Sequence, residues 1–188
     1  SLAFTEPLPE QHPHQGPRIL YLPSTTGRRV AATLEALKPQ LLAGAKLTLP
    51  VGKHASRLYH ILRRFTDSMP PGTVEVIGWT KRIPEFLRTH DVVICKAGGA
   101  ILHEVLAAKI PAVIDYVVPG QEEGNAELLT KIDGGVLTRT PQETAAAVES
   151  ILTNNAAVGR RMRVSMGKLS VPDAALRTAR AALAVAKS

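Results

Sequence analysis

The amino-acid sequence predicts an α/β domain in which a parallel sheet is covered by helices on both faces. Two observations lead there. Short runs rich in β-branched residues recur without the in-out alternation of half-exposed strands, as expected for strands buried on both faces. Each run is followed by a stretch of helical periodicity, the pattern that parallel strands need for their crossovers. The 188 residues, 45% of them apolar, supply a core for one domain.

The elements follow in order. Residues 1–17 are expected to be a linker, because EPLPEQHPHQGP (Glu6 to Pro17) packs four prolines into a polar stretch that can build neither a helix nor a central strand. His12 and His14 are read there as solvated side chains rather than metal ligands. The domain proper is expected over 18–188. Its first strand is RILYLP (Arg18 to Pro23), followed by one helix from Val30 through VAATLEALKPQLL. KLTLPV (Lys46 to Val51) is the second strand and SRLYHILRRF (Ser56 to Phe65) the second helix. VEVIG (Val74 to Gly78), DVVIC (Asp91 to Cys95) and PAVIDY (Pro111 to Tyr116) are further strands, and the short GGVL (Gly134 to Leu137) a sixth. The tail, 141–188, is mostly helical, with helices over Thr144 to Leu152 and Asp173 to Ala186.

The formal net charge of +7 favours an anionic partner. Aromatics make up only 4%, and no tract interleaves them with cations, so nucleic acid is not the expected one. A lone cysteine, Cys95, precludes an intramolecular disulfide and suits a reducing compartment. No metal-ligand spacing surrounds it, and no metal or other cofactor is expected. Neither a bilayer-spanning apolar run nor a signal segment is evident. The expected location is cytoplasmic, at most peripheral to a membrane.

In open α/β sheets ligands lie beyond the carboxyl ends of the strands. The loops there are STTGRR, GKH, GWTKRIP, KAGGA and VVPGQEEGN. Each carries glycine and most carry a cation, a composition suited to phosphate, since glycine lets backbone N–H groups approach and helix N-termini favour negative charge. The first loop is not GxGxxG, and no GxxxxGK[ST] occurs, which argues against a dinucleotide oxidoreductase or a P-loop enzyme.

The stretch GWTKRIPEFLRTHDVVICKAGGAILHEVLAAKIPAVIDYVVPGQEEGN, Gly78 to Asn125, resembles the donor-binding half of the monogalactosyldiacylglycerol synthase and processive diacylglycerol glucosyltransferase family. It is similar, more distantly, to the peptidoglycan lipid-intermediate N-acetylglucosaminyltransferase. CKAGGA, the glutamate of HEVLAAKIP and PGQEEGN carry the likeness, and GGVLTRTPQETA continues it. The resemblance implies one half of a GT-B glycosyltransferase, with a Rossmann-like fold, a UDP-sugar donor and inverting transfer of a hexose to a lipid such as diacylglycerol. The acceptor domain of the family is missing from this stretch. In the family that domain is thought to supply the groups that activate the acceptor, so no catalytic base is named.

The resemblance also implies a set of donor contacts. Gly98, Gly99 and Ala100 turn strand into helix, so that free amides at Ala100 and Ile101 face the diphosphate. Glu104, one turn further, matches the glutamate that grips both ribose hydroxyls. Gln121 and Glu122 match the pair that binds sugar hydroxyls, and Asn125 orients their loop. Thr80 matches the position whose backbone reads uracil, and Ile83 the apolar residue beside the base, while Trp79 is expected in the core. The first loop departs from the family's glycine-rich segment, but Thr25, Thr26 and Gly27 can donate hydrogen bonds, and Arg28 or Arg29 can meet the diphosphate. Lys96 is either a phosphate contact or a solvated strand-end lysine, and His103 a surface residue. The basic clusters HILRRF and GRRMRV are candidates for an anionic membrane surface. Two alternatives are a half-enzyme needing a separate membrane-bound partner and a transferase of the peptidoglycan type. An epimerase of the same architecture would need carboxylates and histidines absent at matching positions.

Overall fold

A computed structural model of the chain describes residues 2–5, 16–24, 26–52 and 55–186. The expected linker histidines His12 and His14, the loop residue Thr25 and the middle of the GKH loop lie outside the described residues. Six strands form one sheet: β1 (Arg18–Tyr21), β2 (Lys46–Pro50), β3 (Val74–Ile77), β4 (Val92–Lys96), β5 (Ala112–Tyr116) and β6 (Gly135–Leu137). Their order is β3-β2-β1-β4-β5-β6, and every neighbouring pair is parallel.

Burial follows position in that order. β1, β2, β4 and β5 are almost wholly buried, with Ile19, Leu20, Ile94 and Val113 at 0% exposure. Each such side chain contributes about 1.5–3 kcal/mol relative to leaving it in water. The edge strands β3 and β6 are partly exposed, as they have only one neighbour. This is why the inner strands read as unbroken apolar runs and the outer ones do not.

Helices α1 (Gly27–Ala36), α3 (Ala55–Asp67) and α7 (Pro141–Leu152) pack side by side on one face. On the other, α4 (Ile83–Thr89) packs on α5 (Gly99–Ala108), and α5 on α6 (Glu123–Lys131). The single helix expected over 30–42 is two. α1 starts earlier, at Gly27, with the Thr26 side chain capping Arg29 N. It stops at Ala36, and a five-residue α2 (Lys38–Leu42) restarts around Pro39, whose ring lacks an N–H and crowds the preceding turn. α7 starts at Pro141, where Thr140 caps Glu143 N and the Glu143 carboxylate accepts from Arg139 N. A helix not anticipated, α8 (Ala157–Gly167), follows, and α9 (Ala174–Val185) buries no side chain.

Two expectations are corrected. Within the expected linker, Leu2–Phe4 forms a 3-10 turn, Phe4 is buried, and Arg88 donates to Ala3 O. Trp79, expected in the core, is 67% exposed. It follows edge strand β3, beyond which the described residues form no further strand to cover it.

Candidate functional site

The chain leaves β1 towards β2 on one side and reaches β5 from β4 on the other, so the loops after neighbouring strands β1 and β4 diverge. That topological switch point is where open sheets hold ligands. A cleft of about 350 Å³ opens there, lined by Leu22, Ser24, Cys95, Lys96, Gly98, Gly99, Ala100, Ile101 and Glu122.

One wall is the start of α5. Gly98 is its N-cap and has no side chain to close the helix end, while its carbonyl takes the first helical bond, from Leu102 N. The N–H groups of the first turn, those of Ala100 and Ile101 included, are therefore left for a ligand, at the positive end of the helix dipole. Glu104 lies four residues after Ala100 and three after Ile101, which places it on the same helix face. It is half-buried, and no described residue hydrogen-bonds it. Burial pushes its carboxyl group above the usual glutamate range. His103 is exposed.

The opposite wall is the turn from β5 into α6. Glu122, buried at 7% exposure, receives Val118 N on Oε2 (3.0 Å) and Lys96 Nζ on Oε1 (2.6 Å). Asn125 Nδ2 donates to Ala97 O (2.9 Å), tying α6 to the peptide just before the glycine pair. Gln121 is exposed at the lip.

The first loop supplies Thr26, Gly27 and Arg28 at the N-terminus of α1, with Arg28 exposed. Arg29 is not free for a phosphate. It turns inward, giving Nη2 to Asp115 O (2.6 Å) and Nη1 to Arg139 O (2.8 Å), and so clamps α1 to the ends of β5 and β6. Beneath it Tyr21 OH donates to Asp115 Oδ2 (3.1 Å), while Asp115 Oδ1 has no hydrogen-bond partner among the described residues. Burial raises the pKa of Asp115 and of Tyr21, and burial with the nearby Asp115 pushes the Cys95 thiol up to about 12. Sequence reasoning missed this cluster. The signal was available: an aspartate inside the apolar run PAVIDY needs an internal partner. Arg29→Met is expected to lower unfolding free energy by about 2 kcal/mol in urea, by orphaning two carbonyls. Arg28→Met should stay within about 0.5 kcal/mol of the parent.

After β3, Thr80 Oγ1 accepts from Arg82 N (3.1 Å), and the Thr80 backbone has no partner among the described residues. Ile83 begins α4 half-buried. Because α4 packs on α5, Ile83 and the α5 amides share one edge of the sheet and one face.

Both basic clusters have engaged members, Arg63 of α3 donating to Tyr59 OH (3.2 Å) and pairing with Asp67. On α8, Arg161 pairs with Asp133, Arg160 donates to Asn155 O, and Arg163 donates to the carbonyls of His90, Asp91 and Lys109. The GRRMRV cations are therefore engaged in holding the fold. On α3, Arg57, His60, Arg63 and Arg64 are exposed on one amphipathic helix whose Leu58, Leu62 and Phe65 are buried. Among the described residues no three His, Cys, Asp or Glu side chains gather as a metal site would, and no helix is long and apolar enough to cross a membrane.

No family model matches the chain. Monogalactosyldiacylglycerol synthase 3, chloroplastic, of Arabidopsis thaliana is 34% identical over 101 residues, which cover 54% of this chain and 22% of the relative. Processive diacylglycerol beta-glucosyltransferase of Bacillus cereus (strain G9842) is 31% identical over 102 residues, 54% of this chain and 26% of the relative. The chain thus matches under a third of the length of these relatives. Among solved structures, Acinetobacter baumannii MurG aligns with a TM-score of 0.65 at 16% identity, over 89% of this chain and 49% of that one. The S. aureus MnaA–UDP co-structure aligns at 0.65 and 13% identity, over 80% and 40%. The sequence relatives are the enzymes whose donor-binding halves Gly78 to Asn125 resembles. The structural likeness shows the fold: a Rossmann-like sheet of the kind that forms one half of a GT-B glycosyltransferase.

Proposed function

We propose that residues 18–188, including the C-terminal helices over 141–188, are the UDP-sugar-binding half of an inverting glycosyltransferase that passes a hexose to a lipid such as diacylglycerol. One observation carries the reading. An uncapped helix N-terminus and the buried Glu122 line one cleft at the switch point, with Glu104 half-buried one turn along that helix and Gln121 and Asn125 flanking Glu122 in the facing turn.

Each part has a task in such a reaction. The amides at Ala100 and Ile101 stabilise the negative charge that gathers on the departing diphosphate, and Thr26, Gly27 and Arg28 face it from the α1 side. Glu104 accepts both ribose hydroxyls. Gln121 and Glu122 accept from the sugar ring, and Asn125 holds the glycine turn against them. The unpaired Thr80 backbone and Ile83 receive the uracil, and exposed Trp79 is available to cover it. The acceptor and the base that activates it belong to a further domain. The exposed cations of α3 rest on an anionic membrane surface, each contributing about 1 kcal/mol near it.

Calorimetric titration of the chain with UDP, UDP-glucose and UDP-galactose tests this. Saturable binding in the micromolar to millimolar range is expected, and no binding of any of the three at millimolar concentration would overturn the proposal.

A further inference from the structure

Resting on that donor reading, we infer that Lys96 is an exchangeable counter-ion: it holds Glu122 while the cleft is empty, and the donor diphosphate draws it away, releasing the carboxylate for the sugar. The Lys96–Glu122 contact is 2.6 Å, with the two side chains 37% and 9% exposed. Since Oε2 already receives Val118 N, both oxygens of Glu122 are engaged in the empty site. Each oxygen can accept a second hydrogen bond, so a sugar hydroxyl at Oε1 shares the carboxylate's charge with the ammonium and receives it undivided once Lys96 moves.

The surroundings let it move. The pairing of β4 with β5 shifts register at Cys95/Lys96, so that Lys96 pairs with Tyr116 and Asp115 is skipped. Bulges of this kind re-aim a side chain beside a site. Lys96 thereby lines both the cleft at the α5 amides and a neighbouring one of about 520 Å³. A Cβ on Gly98 would stand 3.2 Å from Lys96 Cε and 3.5 Å from both Lys96 Nζ and Glu122 Oε1. The bare glycine thus keeps open the passage between the ammonium and the helix N-terminus.

The direction of exchange follows from charge. A diphosphate is more negative than one carboxylate, so it competes for the ammonium, while Val118 N keeps Glu122 in place. UDP alone then leaves Glu122 short of a partner beside a phosphate, a penalty that the sugar hydroxyls remove. Diphosphate and sugar recognition are coupled through one lysine.

Titration of the 188-residue chain with UDP and UDP-glucose reads this coupling. Glu122→Gln is expected to bind UDP about three- to tenfold more tightly than wild type, and UDP-glucose no better than UDP. Lys96→Met should weaken UDP about tenfold, and the double variant should match Lys96→Met, because the tightening acts through the lysine. Weaker UDP binding by Glu122→Gln, or tightening that survives in the Lys96→Met background, overturns the exchange while leaving the donor site standing. Failure of the wild-type chain to bind UDP overturns both. Thermal midpoints check that the variants fold. Independently of any substitution, the Lys96 side-chain nitrogen resonance should shift when inorganic pyrophosphate binds the wild-type chain. Saturated binding with that resonance unmoved also overturns the exchange.

Discussion

Glu104→Ala is expected to weaken UDP binding about 100-fold, since two hydrogen bonds to a charged acceptor contribute about 1.5–3 kcal/mol each and part is regained as water fills the gap. The loss should be much smaller for deoxy-UDP, which lacks one of the hydroxyls. Equal losses for the two nucleotides would remove the ribose assignment. Acidity supplies a second reading of the same group. Burial raises the Glu104 pKa above its unfolded value. Its contribution to the stability of the empty domain is therefore fully present below the unfolded pKa and is lost as pH rises through the folded one. Donor binding needs the charged form and runs the other way, strengthening as pH rises through the same window. Glu104→Gln should flatten both trends, and calorimetry with urea melts between pH 4 and 8 would show it.

Gly16→Ala should be the most damaging of the simple glycine substitutions. Gly16 has φ +91°, and a Cβ there would overlap Gly44 O, a backbone atom with little freedom to retreat. The next residue is held, since Lys46 N donates to Pro17 O at 2.8 Å, so the clash falls where the chain joins β1. Left-handed backbone costs about 1–2 kcal/mol for a side-chain-bearing residue and the overlap about as much again, for a total near 3 kcal/mol. The thermal midpoint should fall by about 6–12 °C. Gly72→Ala separates the two contributions: φ is +74° but nothing lies within 4 Å of its Cβ, so only the conformational cost of about 1 kcal/mol remains. Similar losses for Gly16 and Gly72 would discount the overlap with Gly44.

What could be read in advance follows from how local its physics is. β1, β2, β4 and β5 were legible because burial on both faces makes their sequences continuously apolar, and the helices between them were legible by period. The start of α1 was not. Gly27, Arg28 and Arg29 look like loop until Thr26 is seen to cap them, and a cap depends on backbone angles rather than composition. Trp79 was misplaced because sequence does not say that β3 is an edge strand, which is a fact of sheet order. The glycine pair and Glu104 were visible as a pattern. The inward turn of Arg29 and the bridge from Lys96 to Glu122, 26 residues apart in the chain, were not, because each depends on which loops the sheet brings together.

Cys95 sits on the floor of the cleft at 2% exposure, with its thiol pushed up to about 12. Only the thiolate attacks alkylating reagents, so the native state is silent to them and labelling must wait until β4 separates from its neighbours. The only cysteine in the chain thereby becomes a timer for the opening of the central sheet. Because donor would occupy the adjacent space only in the closed form, it should slow labelling by the factor 1 + [L]/Kd. A mass spectrometer following one alkylation would then read affinity from a side chain almost wholly withdrawn from water in the resting protein.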